Sequence, residues 1–256
     1  MRIHWAFLES LCLAALLSLP ALADTLTLKA DNWMPFSGDG KAETGYLLDI
    51  ARAVFEPLGH KVVYATGPWD QAVAEGRSGK CTGILGASPE DAQDFIYPSE
   101  EQGTSVQLFC VRSGSPWKYA GVGSLKAIKL GIIKDYTYFQ ELDDYIKANP
   151  SGVLITTGDD ALKGNLLKLV QGELGAVVDD RSVLKFTIAK MNLQGKVQIA
   201  LATADVVKPS KLYIAFSPKN PKSQDYARIL SEGMATLRKS GQLQKILAKY
   251  GLTDWK

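Results

Sequence analysis

Histidine and cysteine are nearly missing from this chain of 256 residues, and their scarcity removes most of the familiar catalytic chemistry. His4 and Cys12 fall within the first 23 residues, which leaves His60, Cys81 and Cys110. A Ser-His-Asp or Cys-His nucleophile would have to be built on His60. The context "PLGHKVVYA" sets that residue between a helix-ending glycine and a strand, where a solvated turn is expected. No CxxC or HxxH spacing occurs, so a zinc or transition-metal site lacks a ligand set, and neither a metal nor a cofactor is expected. After residue 23 no apolar run is long enough to span a bilayer. Charge of one sign is also lacking: 29 basic against 27 acidic residues leave +2, which argues against nucleic acid as a partner. Low-complexity and linker-like stretches are absent.

The first 23 residues form a secretory signal: Arg2, an apolar run from Leu11 to Leu19, and Ala21-Leu22-Ala23 as the small-residue cleavage site. Leu11 stands before Cys12 where lipidation would require a small residue. A soluble, exported protein starting at Asp24 is expected. In an oxidising compartment Cys81 and Cys110 either pair, a bond that contributes about 3–4 kcal/mol for such a loop, or remain as two buried thiols. Both alternatives stay open.

What is present is a regular alternation. "TLTLKAD", "KVVYAT" and "TGILGA" read as strands, separated by the amphipathic helix "GYLLDIARAVFEPLG" and the shorter "QAVAEGRSG". Leu47, Ile50, Ala51, Val54 and Leu58 share one face of the first helix, and Gly59 stops it. After "SVQLFCVR" the order restarts with "IKLGIIK", "YFQELDDYIKA", "GVLITT", "DDALKGNLLKLVQG" and "LGAVVDD". A β-α-β-α-β order implies an α/β protein with covered, mostly parallel sheets. "RSGKCTGILGA" and "VQGELGAVVDD" each run from helix end through glycine into a strand of small and apolar residues, which predicts two similar lobes. The tail adds the strand "YIAFSP" and two helices. One stretch raises a question of its own. In "GILGASPEDAQDF" a strand leads into Ser88-Pro89-Glu90-Asp91, a good helix start and hence a natural anion site, yet two acids already occupy it.

"ADNWMPF", "GYLLDIARAV", Pro68-Trp69, "SGK" at residues 78–80, "DDALKGNLLKLVQGELGAVVDD" and "LRKSGQLQKILAKYGL" occur in an order that resembles the periplasmic solute-binding proteins of ABC importers, family 3. The resemblance implies a type II periplasmic binding protein fold, with two lobes and a ligand cleft between them. Residues 24–111 and 209–256 would form the first lobe, and 112–208 the second. It implies a monomeric periplasmic receptor, without enzymatic activity, that gives a small polar solute such as an amino acid to a membrane permease. An enzyme on the same scaffold, like the cyclohexadienyl dehydratases, and a stand-alone sensory subunit are the alternatives.

The family's binding positions fall on Asp31, Trp33 and Phe36 after the first strand, on Trp69, on Ala87 and Ser88 beside Gly86, on Thr137, and on Asp180. Trp33, Phe36 or Trp69 would stack on the solute, and Asp180 would hold an amino group. Asp135 replaces the usual glycine before Thr137, so a differently shaped turn is expected there. The family's carboxylate-binding arginine falls on Asp91, and a second family acid on Thr82. Losing the guanidinium fork weakens the expectation of an ordinary amino acid, unless Arg112, Arg181 or Lys134 supplies the charge. N-terminal sequencing of protein from a secreting host is expected to begin at Asp24; a retained Met1 or a lipid on Cys12 would overturn the export reading.

Overall fold

The structure is a computed structural model that describes residues 23–39, 41, 44–158, 160–200 and 209–256. The expected signal segment before Ala23 and residues 201–208 lie outside the described residues.

The first series is β1 (Thr25–Ala30), α1 (Tyr46–Phe55), β2 (Lys61–Thr66), α2 (Trp69–Ser78), β3 (Gly83–Ala87) and the short β4 (Gly103–Ser105). The second is β5 (Gln107–Arg112), β6 (Leu130–Ile133), α3 (Gln140–Ala148), β7 (Val153–Thr156), α4 (Ala161–Gln171), β8 (Ala176–Asp180), α5 (Arg181–Lys190) and β9 (Val197–Ala200). The chain then adds β10 (Ser210–Phe216), α6 (Ser223–Lys239) and α7 (Gln242–Ala248). Two five-stranded sheets result, ordered β2-β1-β3-β10-β4 and β7-β6-β8-β5-β9. In each, three parallel strands adjoin antiparallel ones. The shared glycine pattern marks equivalent places: Gly79 ends α2 at φ 81° and Gly172 ends α4 at φ 83°, both left-handed caps where a side chain would be strained.

Four expectations are corrected. The first helix stays α-helical only to Phe55, because Pro57 cannot donate and Glu56–Leu58 tighten into a 3-10 turn. Leu58 is consequently 54% exposed and leaves the buried face formed by Leu47, Ile50, Ala51 and Val54. Ser88–Asp91 makes a single turn rather than a helix. His60 is packed, with its side chain 8% exposed, its ring against Phe55 and Tyr226, and its Nδ1 accepting from the Asp24 amide at 3.2 Å. The chain leaves the first sheet at Val106, ahead of the expected division after residue 111, because Gln107–Cys110 pair antiparallel with β8. The strand β9, which the sequence pattern did not signal, pairs with the other edge of β5. Cys81 and Cys110 are buried free thiols in separate apolar clusters, with burial raising them to about 11 and about 12.

The helices α1 and α6 approach closely at Gly233, where an added Cβ would lie 2.5 Å from a Val54 methyl group. Gly233→Ala is therefore expected to destabilise by about 1–3 kcal/mol through overpacking, against the gain in helix propensity. Adding Val54→Ala should recover most of the loss of denaturant stability.

Candidate functional site

The carboxyl ends of the parallel strands in both sheets face one cleft, the place where open α/β sheets take ligands. From the first sheet come Asp31 and Trp33 after β1, Trp69 after β2 and Gly86–Ser88 at the end of β3; from the second come Lys134–Thr137 after β6 and Asp179 at the end of β8. The cleft is divided into two chambers of about 490 Å³ and about 510 Å³. Asp31, Trp33, Trp69 and Tyr136 belong to the walls of both.

Trp33 is the centre of the partition. Its ring stacks on Phe36 at 4.3 Å and 22°. Gly86, at φ 87°, supplies a left-handed backbone beneath the indole at the end of β3, where a side chain would be strained. The indole Nε1–H donates across the cleft to Asp179 Oδ1 at 3.1 Å, and its ring meets that of Tyr136 edge-on at 6.5 Å. Tyr136 in turn donates its hydroxyl to Asp31 Oδ2. Burial, and then the neighbouring Asp31 charge, push the Tyr136 phenol well above its usual range. The turn that aims Tyr136 passes through Asp135 at φ 63°, so aspartate here adopts the left-handed conformation that a glycine would supply.

Asp31, Trp33 and Trp69 thus lie on both chambers, and Ser88 and Thr137 on the larger one. Phe36 and Ala87 are 1% and 0% exposed; they support the wall from behind and line neither chamber. Asp180 also lines neither. Its Oδ1 caps α5, accepting from the Ser182 amide at 2.6 Å and the Val183 amide at 3.2 Å, and its Oδ2 accepts from the Ser105 hydroxyl and the Val106 amide. The acid at the cleft is its neighbour Asp179. Sequence reasoning missed Asp179 and Tyr136. The doubled acid in "VVDD" was the available signal, but β8 is buried along its whole length, so no alternation of burial reveals which carboxylate faces the cleft.

The profile of the bacterial extracellular solute-binding proteins, family 3, matches residues 27–253. The chain belongs to this family. Solved structures similar to it include a histidine kinase sensor domain that resembles periplasmic binding proteins (23% identity, 88% of this chain and 95% of that one, TM-score 0.70). Another is an ancestral arginine-binding protein bound to arginine (23% identity, 88% and 97%, TM-score 0.68). A third comes from work on glutathione import through GshT and the cystine ABC importer TcyBC of Streptococcus mutans (19% identity, 90% and 95%, TM-score 0.73). No curated protein matches the chain significantly. The fold is the two-lobed binding protein architecture, and the family is one of extracellular solute binding.

This family 3 protein has no arginine on either chamber among the described residues. Asp91, at the position where the resemblance puts an arginine, turns back on its own loop. Its Oδ2 accepts from the Ser88 hydroxyl at 2.8 Å and the Ser88 amide at 3.1 Å, which closes the turn that stands in place of the expected helix. Of the cations proposed as substitutes, Lys134 lines the smaller chamber, with Lys163 and Lys190, whereas Arg112 and Arg181 line neither.

Asp179 is 1% exposed, and its Oδ2 is buried without a hydrogen-bond partner. Burial pushes its carboxyl up to about 7, against the Trp33 and Asp180 N–H bonds that favour ionisation, while the charges of Asp180 and Asp31 raise it further. A raised carboxyl binds its proton more tightly folded than unfolded. Its contribution to stability is then greatest in acid and falls as the pH rises from about 4 through about 7. Asp179→Asn is expected to raise the thermal midpoint of solute-free protein at pH 8 by roughly 2–8 °C. At pH 5, where Asp179 is protonated in the folded chain but ionised in the unfolded one, the gain should fall to about a third, and it should vanish below about pH 3; an equal gain at pH 5 and pH 8 would show that the carboxyl titrates normally.

Proposed function

We propose that this protein is a periplasmic receptor that captures a small polar solute, an amino acid or a related compound, and delivers it to the permease of an ABC importer. The observation that carries this reading is the cleft itself. Aromatic walls and polar groups from both sheets converge on it, whereas His60 packs among Phe55, Tyr226 and Asp24 and lines neither chamber. Solute held between the lobes presents a closed surface that a membrane partner distinguishes from the open form. Family membership and the arginine-bound relative support a small polar ligand, and the glutathione-import relative supports transport. In this reading Asp179 takes the ligand-facing role expected of Asp180, Trp33 and Trp69 stack on the solute, and Ser88 and Thr137 hydrogen-bond it.

A second reading rests on Asp179 alone. A cleft carboxylic acid pushed to about 7 by burial meets the requirement for a general acid, which an enzyme on this scaffold needs. One experiment separates the two. Solute released from native protein by denaturation and identified by mass spectrometry should rebind and be recovered unchanged after incubation; conversion to a product would favour the enzyme. At a hundred times its dissociation constant the solute should stabilise by about 2.7 kcal/mol, a midpoint rise of roughly 5–10 °C at this size. Tryptophan fluorescence should change on binding, and the change should be largely lost in the Trp33→Phe/Trp69→Phe variant.

A further inference from the structure

We infer that the larger chamber receives the positively charged end of a small organic cation, an amine or guanidine, and has no need of a carboxylate on its ligand. The inference rests on the receptor reading and narrows it to a ligand class. Asp31, Glu90 and Asp91 reach the chamber from the first lobe, and Glu141 and Asp143 from the second. No lysine, arginine or histidine lines it among the described residues. Glu90 and Glu141 are exposed, and neither makes a hydrogen bond or ion pair. Bringing the lobes together thus sets like charges against one another across a narrow space, at a cost that a bound cation removes.

A second observation, independent of the charges, points the same way. Among the described residues just two buried side-chain polar atoms lack a partner, Asp179 Oδ2 and Gln107 Oε1. Asp179 lies on the smaller chamber and Gln107 on the larger, with Trp33 and Tyr136 between the two spaces. Both atoms are acceptors, so a ligand that satisfies them must bring N–H or O–H donors from either side of the partition. Trp33, Trp69, Tyr136 and Phe139 add aromatic faces, which attract cations. A metal ion fits poorly, because no three of the described His, Cys, Asp or Glu residues converge closely enough to hold one. The acids form a diffuse negative lining, suited to a cation whose charge is spread over several donor groups.

The test is calorimetric titration with agmatine, a guanidine and amine without carboxylate, alongside glutamate, glutamine and calcium chloride. Agmatine is expected to bind at least about tenfold more tightly than glutamate or glutamine, a gap of about 1.4 kcal/mol or more. In the Glu90→Gln/Glu141→Gln variant its affinity should fall by roughly three- to thirtyfold and depend less on salt, while the apo thermal midpoint does not fall. Both residues are exposed and without partners, so the substitutions leave packing alone. Tighter binding of glutamate or glutamine overturns the cation assignment and leaves the receptor reading standing. So does calcium binding in place of agmatine, or an agmatine affinity that the variant leaves unchanged. Binding of none of these probes also overturns the assignment, and the receptor reading is then decided by the co-purified solute.

Discussion

The hydrogen bond from the Trp33 indole to Asp179 ties the two sheets together at the point where a solute would enter. It needs three local features. Phe36 holds the indole from below, Gly86 turns the backbone beneath it at a φ that favours glycine, and β8 delivers Asp179 from the opposite lobe. The bond uses one carboxylate oxygen and leaves the other buried and unpaired. An unpartnered buried acceptor is costly, and it is tolerated where a ligand or a proton can satisfy it. The raised affinity of Asp179 for its proton is the form that cost takes when the cleft holds no donor.

Asp179 and Asp180 are adjacent, almost equally buried and chemically identical, yet they do opposite things. Asp180 accepts four hydrogen bonds, from two amides at the start of α5 and from the hydroxyl and amide of Ser105 and Val106, where the chain crosses between sheets. It secures this crossing to the start of α5. Asp179 accepts from Trp33 and from the Asp180 amide and keeps an oxygen in reserve. The side chains leave an extended strand on opposite faces, and that alternation separates a structural acid from one that faces the cleft.

Charge gives the cleft its direction. The smaller chamber mixes lysines with acids, whereas the larger is lined by acids and by no lysine, arginine or histidine among the described residues. Asp143, pushed up by burial, also feels Asp91 from the facing lobe, which places carboxylates of the two lobes within electrostatic reach of each other. Aspartate at residue 91, where the resemblance puts an arginine, therefore changes more than one contact. It leaves a serine–aspartate turn in place of an anion site and reverses the sign of the wall.

Most of the order of strands and helices and the equivalent glycine caps at Gly79 and Gly172 were legible in the chain, because periodicity and turn chemistry are local; Asp31, Trp33, Trp69, Ser88 and Thr137 were marked by the family resemblance alone, and the structure sets them on one cleft. Local signals misjudged His60, whose burial depends on Tyr226 far along the chain, and Ser88–Asp91, where reciprocal side-chain bonds close the turn before a helix can propagate. They also could not separate Asp179 from Asp180, since β8 is buried on both faces and shows no alternation to read. The sequence by itself determined most of the elements, their order and the strand ends that border the cleft, though not β9 or the turn at Ser88–Asp91. Only the tertiary structure decided which carboxylate faces the cleft, which chamber has no basic residue among its described lining and where the aromatic partition stands. Those outcomes depend on pairs such as Trp33 and Asp179, which meet across 146 positions of chain and only once both sheets are in place.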